Sequence, residues 1–348
     1  MGPREGASES EVAASRLDAS SSPVEVVVAP AEREWRVVPL PLRPSADELA
    51  RSPGLAKGVD LLERGRTTEA AMAFESARRR EAVGDRCAAL HAWTLRDAAT
   101  ADAAERVARE AIARYGATPP LAYALATALE RQGRDVEALA LLRDVLRVWP
   151  DDPVLVREAA GAALSAGDPE AALALLDPLV ARGPLGPESL RLRARALVEA
   201  GRPEEGWILL ERLARTAPPD PALTEDLALA AAAVAERSGL EDHHRRAVEL
   251  LREVVAWDPQ HQRAWFLLGR SLAALGQAGE AEAALRRALE LDPADAEAAL
   301  LLAEVLVEAG RRDEACRCLD EALRRPLAPD ELERVQLRRL ELEAEAVE

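Results

Sequence analysis

The sequence predicts an all-α fold built from about eight repeated helical hairpins. Glycines recur every 34 residues, at Gly133, Gly167 and Gly201 and again at Gly276 and Gly310. Five prolines keep the same interval: Pro150, Pro184, Pro218, and further along Pro259 and Pro293. A spacing held over so much of the chain is typical of repeat architectures, in which each unit is one supersecondary element.

The composition supports this prediction. Hydrophobic residues make up 49% of the 348 residues but aromatic residues only 3%. A core must therefore be built mainly from Ala, Leu and Val, which disfavours a thick β-sandwich.

The repeat interval divides residues 51–329 into eight units, of which seven have 34 residues and one has 41. The units are 51–84, 85–118, 119–152, 153–186, 187–220, 221–261, 262–295 and 296–329. In this division residues 1–50 are an N-terminal arm and residues 330–348 are a capping helix.

Each unit is predicted to contain two helices. A Pro or an Asp-Pro pair, such as Asp152-Pro153, opens the first helix with an N-cap and a pre-set first position. A glycine closes that helix where a left-handed residue is needed. In the second helix the twentieth position of the unit is small, as in Ala138, and the twenty-fourth is mostly Leu, as in Leu142. This pattern indicates a helix that packs closely on its neighbour.

These units resemble tetratricopeptide repeats. Unit 262–295 carries the family signature most clearly, at Trp265, Leu268, Gly269, Leu272, Ala281, Leu285, Ala288 and Pro293, with Leu for the usual aromatic residue at two positions. The match is weaker where Ala99 replaces Gly and where Leu327 replaces Pro. The resemblance implies a right-handed superhelical solenoid of helix-turn-helix repeats, in which the first helix of each unit lines the concave side.

The ends of such a solenoid need polar caps. Residues 330–348 supply one, with Leu332, Val335, Leu340 and Leu342 available to cover the last hairpin. Residues 1–22 are rich in Ser, Glu and Ala and are expected to be disordered. Residues 23–44 are rich in Val and Pro, and three interpretations stay open: a tether to a partner, a segment folded back into its own groove, or a disordered leader.

No catalytic, cofactor-binding or metal-binding constellation stands out. The sequence has no nucleotide-binding glycine motif and no nucleophile elbow, and its four histidines match no catalytic arrangement. Cys316 and Cys318 point to different sides of a helix and lack a second ligand pair, which argues against a metal site. We therefore predict that the protein is not an enzyme and needs no cofactor.

The charge balance argues against nucleic acid as a partner. The chain has 62 acidic and 45 basic residues, a formal net charge of −17, which repels a duplex or an anionic membrane surface. No apolar run reaches the roughly 18 residues of a membrane span, and the first residues lack the apolar core of a secretory signal. With only three cysteines, the chain is expected to be cytoplasmic. The preference for Arg over Lys reflects a GC-rich, bacterial genome.

The predicted groove carries arginines and aromatic residues. The resemblance implies that positions 2, 5, 9, 12 and 13 of each unit face inward, and the first four of these also form a stripe at helical spacing. In units two to seven these five positions hold eight arginines: Arg86, Arg96, Arg131, Arg157, Arg191, Arg195, Arg263 and Arg270. They also hold five carboxylates: Asp97, Glu130, Glu188, Glu199 and Glu225. This positive surplus indicates a groove for an acidic protein segment with apolar anchors.

We predict a scaffold or adaptor that binds a partner segment in this groove. The predicted contacts are Trp93, Tyr123, Arg157, Arg191, Arg195, Phe266 and Arg270. Two alternatives stay open: the arginines pair with neighbouring carboxylates, as Arg195 with Glu199, or the protein is a structural subunit that uses its convex surface and its arm. Because the sequence contains no Asn, the Lys and Asn clamp of chaperone-tail adaptors cannot be carried over.

The 41-residue unit has seven extra residues near 236–246. One interpretation extends the first helix by about 10 Å. His243, His244, Arg245 and Arg246 would then form a protruding, pH-sensitive or anion-binding edge. The other interpretation is a longer connection between the two helices.

Overall fold

The protein is all-helical in the computed structural model, which confirms the predicted fold class. The structure describes residues 38–80, 83–96, 100–182, 186–218 and 220–344, and over these residues it has 18 α-helices, one 3-10 turn (Leu40–Leu42) and no strand. The helices are α1 (Ala46–Arg51), α2 (Pro53–Glu63), α3 (Thr67–Arg80), α4 (Asp85–Thr94), α5 (Ala101–Tyr115), α6 (Pro119–Arg131), α7 (Asp135–Leu146), α8 (Pro153–Ser165), α9 (Pro169–Arg182), α10 (Pro187–Glu199), α11 (Pro203–Thr216), α12 (Pro221–Ser238), α13 (Glu241–Trp257), α14 (Gln262–Ala274), α15 (Ala278–Leu291), α16 (Ala296–Glu308), α17 (Arg312–Ala322) and α18 (Pro329–Ala344).

Helices α2 to α17 form consecutive hairpins, from α2 with α3 to α16 with α17. From α4 onward, the first helix of each hairpin also contacts the first helix of the next. In the described residues, successive second helices make no comparable contact. Elements on the inner side of a curved stack lie closest together, so the first helices α4, α6, α8, α10, α12, α14 and α16 form the concave layer. We call this layer the inner face.

The recurrent glycines lie in the turns inside the hairpins. Gly133 has φ 70° and Gly167 has φ 76°, a left-handed conformation that residues with a Cβ atom adopt only with strain. At the first of these turns, the backbone N–H of Arg134 donates to the carbonyl of Leu129 at 2.9 Å and ends the helix. The 34-residue interval is therefore a repeated requirement of backbone geometry. Ala99, which breaks it, lies outside the described residues.

The two helices of a hairpin approach closely because small residues lie between them. Ala138 and Ala172 are fully buried, and so are Leu142 and Leu176 one turn later. At Gly269, an added Cβ would lie 2.6 Å from Cγ of Leu285, a distance that real Cβ contacts do not show. The small and large positions seen in the sequence thus form the packed interface of the hairpins.

The 41-residue unit extends both of its helices. Helix α12 has 18 residues and α13 has 17, against 13 in α14 and 14 in α15. Only Gly239, in a left-handed conformation, and Leu240 link them. The prediction of a longer connection is wrong, and the five extra residues of α12 lengthen it by about 7.5 Å.

Helix α18 packs on α17 and α16 at the C-terminal end of the stack. Val335 and Leu342, two helical turns apart, are fully buried. Leu340 is 62% exposed, so the prediction that it covers the last hairpin is wrong. Its position two residues before Leu342 places it on the opposite side of the helix.

The N-terminal arm is described only from residue 38, so residues 1–37 and the tryptophan among them, Trp35, lie outside the described residues. In the described ranges, no helix combines the length and the apolar character that crossing a bilayer requires.

Candidate protein-binding face

The seven predicted contact residues all lie on first helices. Trp93 is on α4 and Tyr123 on α6, Arg157 is on α8, Arg191 and Arg195 are on α10, and Phe266 and Arg270 are on α14. The fold therefore places them in one layer, along the inner face. Their role in binding stays a prediction, and their surroundings differ from what the sequence suggested.

The aromatic residues are buried and are not exposed anchors. Trp93 is 7% exposed, Tyr123 is 9% exposed and Phe266 is 3% exposed. The guanidinium of Arg96 lies 3.6 Å from the ring centroid of Trp93 and also donates to the Trp93 carbonyl at 3.0 Å. The stripe pattern placed these residues on first helices, but it could not show that neighbouring chain covers their rings.

Tyr123 on α6 is buried, and its surroundings shift its ionisation. Burial, followed by the charge of Glu158, raises the pKa of Tyr123 to about 12. The phenol is therefore neutral at physiological pH.

Glu158 lies close to both Tyr123 and Glu130. Burial, with the nearby charge of Glu158, raises the pKa of Glu130 to about 7. Burial also raises the pKa of Glu158, although Arg157 pairs with it at 3.1 Å and opposes the shift. Glu158 occupies position 6 of its unit, which the stripe of positions 2, 5, 9 and 12 did not include.

Arg191 and Arg195 share a buried carboxylate of the next hairpin. Asp226 on α12 is 6% exposed. Nε of Arg191 lies 2.7 Å from one carboxylate oxygen, and Nε of Arg195 lies 3.8 Å from the other. Arg191 also contacts Asp220 at 3.3 Å and Glu188 at 3.7 Å. Asp226 is again a position 6 residue, and the sequence prediction missed it.

Further along the face, Arg270 pairs with Glu236 at 2.6 Å and lies 5.4 Å from the ring centroid of Phe266. Near the N-terminal end, Arg86 pairs with Glu48 of α1 at 2.9 Å. Five of the eight stripe arginines thus pair with carboxylates of the same chain: Arg86, Arg157, Arg191, Arg195 and Arg270. This finding favours the alternative in which these arginines stabilise the protein itself.

The last first helix is acidic. Helix α16 carries exposed Glu297, Glu304 and Glu308 at positions 2, 9 and 13 of its unit. None of the three has an ion-pair partner within the described chain. The charge of the inner face therefore changes along its length, which a count over units two to seven did not reveal.

A segment of the N-terminal arm lies on this face. The 3-10 turn Leu40–Leu42 contacts α4 and α6, the helices that carry Trp93 and Tyr123. Val38 is 2% exposed and Leu42 is 0% exposed, and both belong to the hydrophobic core. The turn is closed by a hydrogen bond from the N–H of Leu42 to the carbonyl of Pro39 at 2.9 Å. Of the three interpretations of the arm, folding back into the groove describes residues 38–42.

The extended hairpin α12 and α13 does not present free cationic groups. Nδ1 of His243 is 2.7 Å from Oγ of Ser238, and its ring packs edge-on against Trp207. His244 is buried, and burial lowers its pKa. Arg245 pairs with Glu241 and Asp242, and Arg246 pairs with Glu249. The residues of the predicted anion-binding edge are therefore engaged in contacts within the hairpin and with α11.

Two features of the described residues concern metal binding and thiol chemistry. Among the described residues, no group of three or more His, Cys, Asp or Glu is arranged to hold a metal ion. The three cysteines are free thiols, and burial raises the pKa of Cys318 to about 11. A thiol with so high a pKa is a poor nucleophile.

Sequence comparison identifies the family. Two tetratricopeptide repeat models match, one over residues 136–196, 240–287 and 272–336 and the other over residues 89–153, which together span more than half of the chain. The chain belongs to the tetratricopeptide repeat family. Membership supports a role as a protein-interaction scaffold. No curated protein matches this tetratricopeptide repeat chain.

Solved structures of other repeat proteins are similar to it. The APC/C hetero-tetramer Cut9–Hcn1 is 18% identical with a TM-score of 0.56, and the match covers 82% of this chain and 56% of that one. MamA MSR-1 is 25% identical with a TM-score of 0.42, over 49% of this chain and 94% of that one. TTC0263, a thermophilic repeat protein of Thermus thermophilus, is 24% identical with a TM-score of 0.42, over 55% and 98%. The Cut9–Hcn1 likeness supports the solenoid fold alone.

Proposed function

We propose that this tetratricopeptide repeat protein is a non-catalytic scaffold or adaptor whose inner face binds an extended segment of a partner protein. One observation carries the proposal: a short segment of the chain's own N-terminal arm, which contains the 3-10 turn Leu40–Leu42, already lies against α4 and α6 of the inner face. That segment buries Val38 and Leu42 completely or nearly so. A surface that buries the apolar side chains of one short segment has the chemistry to bury those of another.

The charges of the face bear on the partner. Because five inner arginines have carboxylate partners, an acidic segment would have to compete with ion pairs of the scaffold. Arg131 and Arg263 are exposed and have no carboxylate at ion-pair distance in the described chain. Together with the acidic α16, they favour a partner of mixed charge with apolar anchors over a purely acidic one.

A structural subunit that associates through its outer surface is the second candidate. Exposed apolar side chains support it, since Leu337 and Leu340 project from α18 and Val136 projects from α7. Such residues could contact another subunit. The two proposals differ in which surface touches the partner, and this difference can be tested directly.

The test places a photo-crosslinking amino acid at one of two matched positions of a single hairpin. Arg195 lies on the inner helix α10, and Arg215 lies on the outer helix α11. Their side chains are 46% and 76% exposed. The full chain, expressed in its native host and irradiated there, should crosslink to a partner from position 195 and not from position 215. The crosslinked partner peptide is then identified by mass spectrometry.

Crosslinks from position 215 alone would overturn the inner-face proposal and support the structural subunit. This design is preferable to replacing Arg191 and Arg195 by Glu. Those substitutions would leave Asp226 buried without a partner and would confuse loss of binding with loss of stability.

A further inference from the structure

We propose that the first helices α4 and α6 form a site for segments of the type aliphatic-Pro-x-Pro-aliphatic, which residues 38–42 occupy and a partner segment must displace. The inference rests on the proposed function and names both the chemistry of the partner and its competitor. In this chain the occupying sequence is Val-Pro-Leu-Pro-Leu.

The contacts of residues 38–42 resemble those of a bound peptide, and they differ from those of a cap on the end of the solenoid. A cap would cover the exposed side of the first hairpin, α2 and α3. The 3-10 turn instead contacts the first helices of the second and third hairpins. It crosses from one repeat to the next along the inner face, as a bound peptide would.

The chemistry of the segment explains why it can bind in this way. Pro39 and Pro41 fix their φ angles, so ordering the segment costs little conformational entropy. Proline also lacks a backbone N–H, which limits backbone pairing with the helices. Binding must therefore come from the buried aliphatic side chains at the two ends, Val38 and Leu42, which leave water on docking.

A short tether keeps the segment in place. Only Arg43, Pro44 and Ser45 separate Leu42 from α1, and Glu48 of α1 pairs with Arg86 of α4 at 2.9 Å. Arg43 also donates from Nε to the carbonyl of Val38 at 3.3 Å. A tethered segment has an effective concentration in the millimolar range. A partner must therefore compete with an intramolecular ligand, and its apparent affinity falls by the fraction of sites that are open.

Fluorescence anisotropy with a labelled peptide tests the proposal. The probe is fluorescein-VPLPLRPS, the sequence of residues 38–45, titrated with the full chain. The chain with Leu42→Glu should release its own segment and bind the probe at least tenfold more tightly than the unmodified chain. A control peptide, VPLPERPS, should bind neither protein. The matched protein control is Leu340→Glu, an equivalent change at an exposed position of α18, which should behave as the unmodified chain.

A second variant avoids any change in the core. Inserting 20 Gly and Ser residues between Pro44 and Ser45 lengthens the tether and lowers the effective concentration of the segment without altering its contacts. This variant should also bind the probe several-fold more tightly than the unmodified chain. Circular dichroism confirms that each variant is folded.

Two results would overturn the inference. One is equal affinity of the probe for the unmodified chain and for both folded variants, and the other is equal binding of VPLPERPS and VPLPLRPS. The crosslinking experiment at position 195 tests partner contacts of a different hairpin, α10 with α11. A partner crosslinked there by a protein that never binds the probe would refute this site and leave the proposed function standing.

Discussion

Arg191 of α10 donates from Nε to the buried carboxylate of Asp226 on α12 at 2.7 Å and so joins two successive hairpins through their inner layer. Asp226 has its strongest partner in Arg191, since Arg195 lies 3.8 Å away. Burial raises the pKa of Asp226, and Arg191 opposes that shift. The pair therefore stabilises the stacking of the two hairpins, although both residues lie on the proposed binding face.

Replacing Arg191 by Ala should destabilise the protein. The substitution leaves the carboxylate of Asp226 buried with only a distant cation, and the loss of one partner of a buried pair costs about 3 kcal/mol. The free energy of unfolding, measured with urea, should fall by that amount. Arg215→Ala, at an exposed residue whose nearest carboxylate is 3.6 Å away, should change it by less than about 0.5 kcal/mol. Equal stabilities of the two variants would show that Asp226 does not depend on Arg191.

The stability of the protein should depend on Glu130 near neutral pH. Its folded pKa of about 7 lies above the ordinary glutamate value of 4.5. The folded protein therefore binds a proton that the unfolded chain releases. The favourable contribution of this proton is complete below pH 4.5 and is lost as pH rises to about 7.

Glu130→Gln removes this titration. The variant should gain about 2 kcal/mol of stability relative to the unmodified chain on going from pH 5 to pH 8. Urea unfolding at the two pH values measures the difference. Glu297→Gln, which removes the same charge from an exposed position on α16, serves as the control and should show no such gain. A pH-independent difference for Glu130→Gln would contradict the buried, protonated state of this residue.

The sequence was sufficient for the hairpins because each one depends on local requirements. Gly133 and its counterparts are needed for a left-handed turn, and Ala138 is needed for the close approach of the two helices of a hairpin. Both residue types therefore recur in the sequence at a fixed interval. The surroundings of the inner face were not predictable in this way. Arg191 meets Asp226 only because two hairpins are stacked, and a helical stripe read within one unit cannot show such a contact.

Two further features depend on tertiary packing. Glu158 and Asp226 both occupy position 6, beside the stripe, and each pairs with an arginine that the stripe includes. The placement of Val38 and Leu42 depends on where the arm meets α4 and α6. The sequence left three interpretations of the arm because valine and proline content does not specify a docking position.

Replacing glycine by alanine should have opposite effects at two helical glycines, Gly206 and Gly161. Only Gly206 lies against a neighbouring helix, at the packing of α10 on α11. At Gly206 an added Cβ would lie 2.7 Å from the carbonyl oxygen of Ala194 and 2.8 Å from Cγ2 of Val198. Backbone cannot move aside cheaply, so Gly206→Ala should cost about 1–3 kcal/mol. Gly161, inside α8, has nothing within 4 Å of the same atom. Gly161→Ala should therefore stabilise the protein by about 0.5–1 kcal/mol through helix propensity.

Thermal unfolding of the two glycine variants is the measurement. A lower midpoint for Gly206→Ala and a higher one for Gly161→Ala are expected. Gly161 lies on the inner face. Crosslinking from position 195 in the Gly161→Ala variant therefore also measures whether partner binding tolerates an added methyl group on this face. Destabilisation by both substitutions would contradict the difference in packing.

His91 should make the protein sensitive to acid. It is buried on α4, and Nη1 of Arg78 lies 3.0 Å from its Nδ1. Burial, followed by the charge of Arg78, lowers the pKa of His91 to about 4. The unfolded chain therefore binds a proton more readily than the folded protein. The stabilising contribution of the neutral ring is complete above pH 6.5 and is lost as pH falls to about 4.

His91→Gln keeps a polar side chain that does not titrate. Between pH 7 and pH 4.5 the unmodified chain should lose about 2 kcal/mol more stability than this variant. His243→Gln, at a histidine in contact with solvent at the end of α12 and α13, is the matched control and should follow the unmodified chain. Because Glu130 contributes stability in the opposite direction below pH 7, the comparison is best made with Glu130→Gln present in all three proteins. If acid then destabilises the His91 variant as much as its parent, the buried contact with Arg78 does not control the titration.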